Sequence, residues 1–408
     1  MPQNWKTYKL EDISDIKSGK RLPKGHTLIS EKTDFPYIRL VDINENAIDE
    51  KSIMYLLPET KIKIQKYIVN TNDICLAIVG HTIGLVFYIN EKFDEYNLTE
   101  NAARLTNFSK NINSKFIYYN LLSPQGYHNI LSRKVGSAQG KLPLYNIKSF
   151  ELNLPPLPEQ KAIAQILSAI DDKIENNLAI NKTMEEMAMA LYKHWFVDFG
   201  PFQDGAFVES ELGEIPEGWE VKRLPKIATF HNKKRKPIST RERAKIQGVY
   251  PYYGATKILD YLDHYNFEGE FILLAEDGTV KTNGDTPYLQ FVNGKFCVSN
   301  HAHVLTGASK YSNEFLFLSL NNKNIIPIIT GAVQLKINKE NLKTLEFIVP
   351  KEKDLKIFEG LIIPLYKKIK QIELENQTLT KLRNTLLPKL ISGEVRLKEF
   401  REAFVGVE

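Results

Sequence analysis

Seven cations fall within thirteen residues at Lys233, Lys234, Arg235, Lys236, Arg241, Arg243 and Lys245, and Tyr250, Tyr252 and Tyr253 follow closely. Ammonium and guanidinium groups clustered beside aromatic rings suit a polyanion. The cations take phosphates and release counterions, and a few neighbouring side chains reach base edges. A weaker counterpart stands near the start of the chain, at Lys20, Arg21 and Lys24, with Lys61, Lys63 and Lys66 downstream. Taken alone, a run of four cations is equally a solvated loop or helix face. Repetition favours the binding reading: Lys234-Arg235 and Pro237 repeat Lys20-Arg21 and Pro23 at an offset of 214.

Other chemistry finds little support. The chain has no phosphate loop of the form Gly-x-x-x-x-Gly-Lys-Ser/Thr, no Gly-x-Gly-x-x-Gly and no Gly-x-Ser-x-Gly nucleophile turn. His301 and His303 flank Ala302 in a strand-like run, but no third ligand stands at a metal-site spacing. Glu276-Asp277 precedes a turn glycine, and Asp171-Asp172 lies on a long helical stretch. A metal-dependent nuclease needs carboxylates converging on its ion, and neither pair shows convergence. Pro155-Pro156 lacks the preceding Asn or Asp and the following aromatic residue of an amino-methyltransferase. No catalytic residue and no metal ligand is therefore assigned.

The elements that must position the cations follow from periodicity. Between Pro155-Pro156-Leu157-Pro158-Glu159-Gln160 and Gly200 neither glycine nor proline interrupts the chain. Apolar residues recur there at Ile163, Leu167, Ile170, Ile174, Met184, Ala188, Leu191 and Trp195, steps of three and four that mark a coiled-coil seam. About forty residues at ~1.5 Å each give a rod of roughly 60 Å. Asn177 and Asn181 fall on the same stripe, where a buried polar pair fixes register at some cost in stability. A second copy lies 195 residues on: Ile174 matches Ile369, Asn181 matches Asn376, Met184 matches Leu379 and Leu191 matches Leu386. Pro364 stands where the first copy has Ala169, and a kink or restart is expected there.

The segments around the rods repeat too. Trp219 and Leu224 match Trp5 and Leu10 at 214, Ile272–Gly278 echoes Ile74–Gly80 at 198, and Pro350 matches Pro155 at 195. Drifting offsets mean that loops have changed length on a kept scaffold, and loops carry specificity. The fold class is thus α/β in the α+β sense: two similar mixed α/β domains separated by two long antiparallel coiled-coil helices, a pseudo-twofold internal repeat. Residues 196–218, rich in Gly, Pro and acidic residues, read as a connector. Twin domains at a fixed separation suit half-sites that recur along one face of duplex DNA.

Length and composition bound the rest. The 408 residues suffice for two or three domains, with apolar, aromatic and charged fractions of 43%, 11% and 25%, those of an ordinary globular protein. No apolar run approaches ~18 residues and no leader pattern opens at Met1, so a soluble cytoplasmic protein without membrane association is expected. Cys75 and Cys297, the only cysteines, sit in apolar strand-like runs and read as core thiols. A net charge of +5 leans toward an anionic partner.

Three motifs then carry a resemblance across essentially the whole chain. They are Leu154-Pro155-Pro156-Leu157-Pro158-Glu159-Gln160-Lys161-Ala162-Ile163, Gly213-Glu214-Ile215-Pro216-Glu217-Gly218-Trp219, and Leu387-Pro388-Lys389-Leu390-Ile391-Ser392-Gly393-Glu394-Val395. Together they resemble the specificity subunits of type I restriction–modification systems. The second helical region departs from the pattern, with Pro350-Lys351-Glu352-Lys353 in place of the Pro-Pro-Leu-Pro-Glu-Gln form. The resemblance implies a target-recognition domain at 1–155, a central helical spacer at 156–200, a connector and second target-recognition domain at 201–350, and a distal spacer and tail at 351–408.

It also implies a non-catalytic DNA-recognition subunit serving host defence. Such a chain reads a bipartite double-stranded DNA target with an unspecific gap, and directs DNA methylation and restriction to it. The partners implied are adenine methyltransferase subunits, two of them, and restriction/translocase subunits. S-adenosylmethionine, ATP and magnesium would belong to those partners, and no cofactor to this chain.

On this resemblance Lys20, Arg21, Lys24, Lys61, Lys63, Lys66, Lys141, Lys233 to Lys236, Arg241, Arg243 and Lys245 are phosphate or groove contacts. Gln139 and Gln334, on glycine-bearing loops, are candidates for base edges or equally for shaping a turn. Tyr252 and Tyr253 are interface or core. Glu185, Glu186 and Lys193, on the rod surface, are candidates to meet the methyltransferase. Two rivals stand beside it: a coiled-coil scaffolding protein without specific DNA binding, and a fused restriction–methylation polypeptide, the latter disfavoured by the missing motifs.

Overall fold

Ile74, Cys75, Leu76 and Ala77 are all buried, as in a strand covered on both faces. In the computed structural model, which describes residues 2, 4–44, 46–136, 140–331 and 333–396, that strand lies inside a four-stranded sheet. Its order is Asp15–Ser18, Ala102–Thr106, Ile74–Ala77, Val86–Tyr88, antiparallel throughout. Beside it Pro36–Ile38 pairs parallel with Asn97–Leu98 and antiparallel with Met54–Tyr55. Helices Ser114–Leu122 and Pro124–Ser132 cover the core, each started by a side chain at its N-cap (Asn113 and Ser123) that accepts a backbone N–H. This unit comprises residues 1–176 with 375–408.

The second unit, residues 177–374, has the same strand order. Ala228–Phe230, Ala302–Gly307, Phe267–Ala275 and Leu289–Val298 stand in the places just described. Gln247–Tyr253 then pairs parallel with the end of Leu289–Val298 and antiparallel with Ile258–Leu262. One ten-residue strand here does the work of two short ones in the first unit, Val86–Tyr88 and Asn97–Leu98. Such differences explain why the offsets drift. The framing ribbons keep them: Lys6 opposes Leu154, and Glu220 opposes Val349. Trp5 and Trp219 are buried, as are Leu10 and Leu224.

The helices Leu157–Phe196 and Glu352–Ser392 run 40 and 41 residues, and each contributes one half to each unit. In the first unit Ile163, Leu167 and Ile170 share a core with Leu386, Leu387, Leu390 and Ile391. Asp171 meets Arg383 at 2.9 Å and Lys173 meets Glu375 at 3.5 Å, so the segments are antiparallel. In the second unit Asn181 donates to the Ile369 carbonyl and Phe196 packs on Phe358 at 4.7 Å, again antiparallel. Asn177 and Asn181 are buried, as the seam pattern predicts.

Three expectations need correction. The helix runs through Pro364 without a restart. That residue is exposed, and so is Gly360 one turn earlier, which leaves water to take the freed carbonyl. The seam ends on Ala188, Tyr192 and Phe196, with Leu191 and Trp195 only partly covered, because the aromatic rings at 192 and 196 point into the sheet-side core. The connector holds a hairpin, Phe207–Ser210 with Gly213–Pro216, and Ile215 and Trp219 belong to the core. Cys75 and Cys297 are buried free thiols.

Candidate nucleic-acid interface

The basic segment of the second unit leaves the sheet after Ala228–Phe230, and its cations divide into ties and free ends. Arg235 is a tie. Its Nη1 lies 2.6 Å from Glu276 Oε2 and donates to the carbonyls of Ala302 (2.8 Å) and Asn300 (3.2 Å), while Nε donates to that of Asn232. Only 16% of that side chain is exposed. Arg243 is another: it donates to the Ile238 carbonyl at 2.7 Å, pairs with Asp260 at 3.1 Å and stacks over the Tyr252 ring. The Gln247 amide, the Tyr261 N–H and Arg243 hold the Asp260 carboxyl below the usual carboxylate range. Lys233, Lys234, Lys236, Arg241 and Lys245 are exposed.

Tyr252 is core, 1% exposed. Its hydroxyl donates to the Lys236 carbonyl at 3.2 Å and accepts the Ile238 N–H at 3.1 Å, which pins the basic segment from below. Tyr253 packs edge-on against Phe296 at 5.6 Å. Arg235, Arg243, Tyr252 and Tyr253 were all candidates for DNA contact. In the structure their planar groups meet acceptors and rings that distant strands bring alongside, Tyr252 being buried and Tyr253 partly exposed.

In the first unit the equivalent segment follows Asp15–Ser18. Lys20 N donates to the Leu98 carbonyl, and Tyr37, itself buried, donates its hydroxyl to the Lys20 carbonyl at 2.8 Å. The Lys20 ammonium lies over the Tyr67 ring at 5.4 Å. Arg21 pairs with Glu100 at 2.7 Å, yet 80% of its side chain is exposed. An ion pair so wet contributes little to stability and exchanges readily for another anion. Lys61 donates to Asn97 Oδ1, and burial pulls its ammonium below the usual lysine value. Lys63 donates to His26 Nε2, so the other ring nitrogen carries hydrogen toward Thr60 Oγ1. Lys24 and Lys66 are exposed.

The glutamine loops close alike. Val135 and Lys141 exchange backbone bonds at 2.8 and 2.9 Å, and Thr330 and Lys336 do so at 2.8 and 2.7 Å, one offset of 195 apart. Gln334 is exposed, as is Lys141; Gln139 lies outside the described residues. On the long helix Glu185, Glu186 and Lys193 are exposed, and Glu186 faces Lys182 at 3.9 Å. Although the Glu185 side chain reaches solvent, the protein packed around its carboxyl strips part of its water and raises it, and the charges of Glu373 and Glu186 raise it further.

Two residues that pattern reading left unassigned hold the second unit's site together. Glu276, 15% exposed, meets Arg235 on one side and Lys336 at 3.9 Å on the other. His303, fully buried, accepts from the Asn232 amide at Nδ1 and donates from Nε2 to the Ile337 carbonyl at 2.8 Å. It is thereby a neutral structural histidine, and burial pushes its pKa down. The echo of Ile74–Gly80 in Ile272–Gly278 marked the Glu276 neighbourhood, but no spacing rule points to its partners. Among the described residues no group of three or more His, Cys, Asp or Glu could hold a metal ion, and no helix is long and apolar enough to cross a membrane.

Known proteins match this architecture. The family described as Type I restriction modification DNA specificity domain matches residues 2–186 and 216–384. The chain is 27% identical over 429 residues to the type I restriction enzyme MjaIX specificity subunit of Methanocaldococcus jannaschii, covering 98% of this chain and 95% of that one. It is 22% identical over 474 residues to the HindI specificity subunit of Haemophilus influenzae, covering 96% and 100%. The crystal structure of a type I restriction–modification S subunit from M. genitalium shares the fold, with a TM-score of 0.58 at 18% identity over 95% of this chain and 96% of that one. The chain belongs to the family of type I restriction–modification DNA specificity subunits.

Proposed function

We propose that each unit reads one half of a split DNA target, with an unread gap between the halves. The observation that carries this reading is the duplication of the site. In both units a basic segment leaves the same strand of the same sheet, and a buried tyrosine hydroxyl holds it by a lysine carbonyl. Exposed lysines on such a segment meet phosphates and set position along the duplex, while loop tips discriminate bases. Because the two units differ in loop length and in loop side chains, the two half-sites differ in sequence. The target is then asymmetric.

The chain itself performs no chemistry in this reading. Adenine methyltransferase subunits, two of them, dock on the long helices, where Glu185, Glu186 and Lys193 are exposed, and restriction subunits join that assembly. S-adenosylmethionine, ATP and magnesium act in those partners. The buried free thiols Cys75 and Cys297 suit a reducing cytoplasm.

The test is a map of N6-methyladenine in DNA from cells with and without this gene. A split, asymmetric motif present only with the gene is the expected result. An unchanged map, or loss of an uninterrupted motif, overturns the proposal.

A further inference from the structure

We propose that the loop from Thr330 to Lys336 is the base-reading element of the second unit, and that Glu276 is the positioning residue that fixes it beside the phosphate-binding lysines. The inference rests on the DNA-reading role given above and assigns that role to particular side chains.

Three observations converge. The loop is held by its own backbone: besides the paired bonds of Thr330 and Lys336, Gly278 N donates to the Leu335 carbonyl and Ile337 N to the Glu276 carbonyl. Gly331 sits at a φ of 90°, where a Cβ would stand 2.2 Å from the Gln334 carbonyl oxygen, so the turn is shaped tightly around glycine. A loop closed this way has both of its ends fixed, with Val333 and Gln334 between them.

The tip is unusual. Val333 is 102% exposed and Gln334 beside it is exposed. An isopropyl group held out in water at the end of a closed loop contributes nothing to folding. It suits contact with a thymine methyl group or a wedge between base steps, and a neighbouring carboxamide suits the paired donor and acceptor on an adenine edge.

The base of the loop is bolted to the basic segment twice. Glu276 joins Arg235, whose neighbours Lys233, Lys234 and Lys236 are exposed, to Lys336. His303 joins Asn232 to Ile337. Phosphate-binding and reading elements are thus held in fixed register on one carboxylate and one imidazole. In the first unit Ile78 occupies the place of Glu276, its carbonyl accepting from Leu142 as that of Glu276 accepts from Ile337. The carboxylate yoke is therefore particular to the second unit and its half-site.

The test uses the full-length chain assembled with its methyltransferase partner. Affinity for the mapped target duplex and for random duplexes is measured across salt concentrations, and adenine methylation is mapped in cells. In V333A/Q334A the target-to-random ratio should fall at least ~10-fold with the salt slope unchanged, and methylation should relax at one half of the split motif only. K233A/K234A/K236A should lose affinity for both duplexes alike, with a shallower slope. E276Q should behave like the loop variant, and E276D should recover part of the ratio.

A wild-type complex that discriminates while V333A/Q334A keeps its ratio within ~2-fold overturns the loop assignment. A ratio unchanged in E276Q overturns the positioning role. Lack of discrimination by the wild-type complex overturns the DNA-reading role itself, and this assignment with it.

Discussion

The hydroxyl of Tyr252 donates to the main-chain carbonyl of Lys236 at 3.2 Å, and the first unit repeats the arrangement with Tyr37 and the carbonyl of Lys20 at 2.8 Å. A tyrosine whose ring is buried and whose oxygen reaches a surface segment couples the core to that segment. Backbone so tied holds its place on the sheet whatever its exposed lysine side chains meet.

Replacing either tyrosine with phenylalanine keeps the ring and removes the tie. Y37F loses one hydrogen bond, worth about 1 kcal/mol, and Y252F strands both the Lys236 carbonyl and the Ile238 N–H, costing about 1–3 kcal/mol. Urea unfolding midpoints read the cost. Hydrogen exchange across residues 232–246 should quicken in Y252F and not in Y37F; equal protection in both variants would remove the pinning role.

The cations of the second unit should separate into two kinds of variant. R235A leaves Glu276 without its nearest counter-charge in a largely buried setting, and a loss of about 2–4 kcal/mol is expected. K234A removes an exposed charge and should shift stability by less than ~0.5 kcal/mol while lowering affinity for any duplex. Thermal unfolding and salt-dependent DNA binding on the same two proteins check this. The prediction fails if K234A melts as early as R235A.

The repeat was legible because scaffold positions kept their spacing. Lys6 opposite Leu154 and Glu220 opposite Val349 stand at offsets of 214 and 195 that can be counted along the chain. Long unbroken periodicity likewise gave both helices and the buried Asn177 and Asn181. The division of labour among the cations was not legible. Whether Arg235 binds phosphate or Glu276 depends on a partner 41 residues away, and Arg243 on one 17 residues away. Local pattern carries no information at that range. Tyr252 was ambiguous for the same reason, since an aromatic residue after a basic run is equally a stacking surface or a core wedge until the opposite strand is placed.

His303 gives a dependence on pH. Burial is the largest influence and pushes its folded pKa below the ordinary 6.5; the Ile337 carbonyl and then Glu276 pull it partly back up, and Arg235 and Lys339 add lesser downward pushes. The unfolded chain therefore binds the proton more readily than the folded one. The stability this group contributes is fully present above about pH 6.5 and is lost as pH falls through the folded value, by at most ~1.4 kcal/mol per unit. Melting temperature should thus drop between pH 7 and 5.5. H303Q, whose carboxamide accepts from Asn232 and donates to Ile337 without titrating, should drop less. Parallel curves for the two proteins would exclude His303 as the source.

Asn181 supplies the last expectation. It is 7% exposed in the helix pair of the second unit, and its amide donates to the Ile369 carbonyl at 3.3 Å. Its Oδ1 has no hydrogen-bond partner among the described residues. A buried acceptor left unmet costs about 1–3 kcal/mol, and an apolar side chain there adds buried area. N181L should therefore raise the melting temperature. The asparagine's compensating value is register: only one axial alignment brings its amide to the Ile369 carbonyl, whereas leucine packs comparably when the helices slip by a turn. The leucine variant should melt later but over a broader range, because slipped alignments no longer carry a polar penalty. A variant that melts earlier than wild type would mean that Asn181 is held by more than this one bond, and that its role in the seam is stabilising, not discriminating.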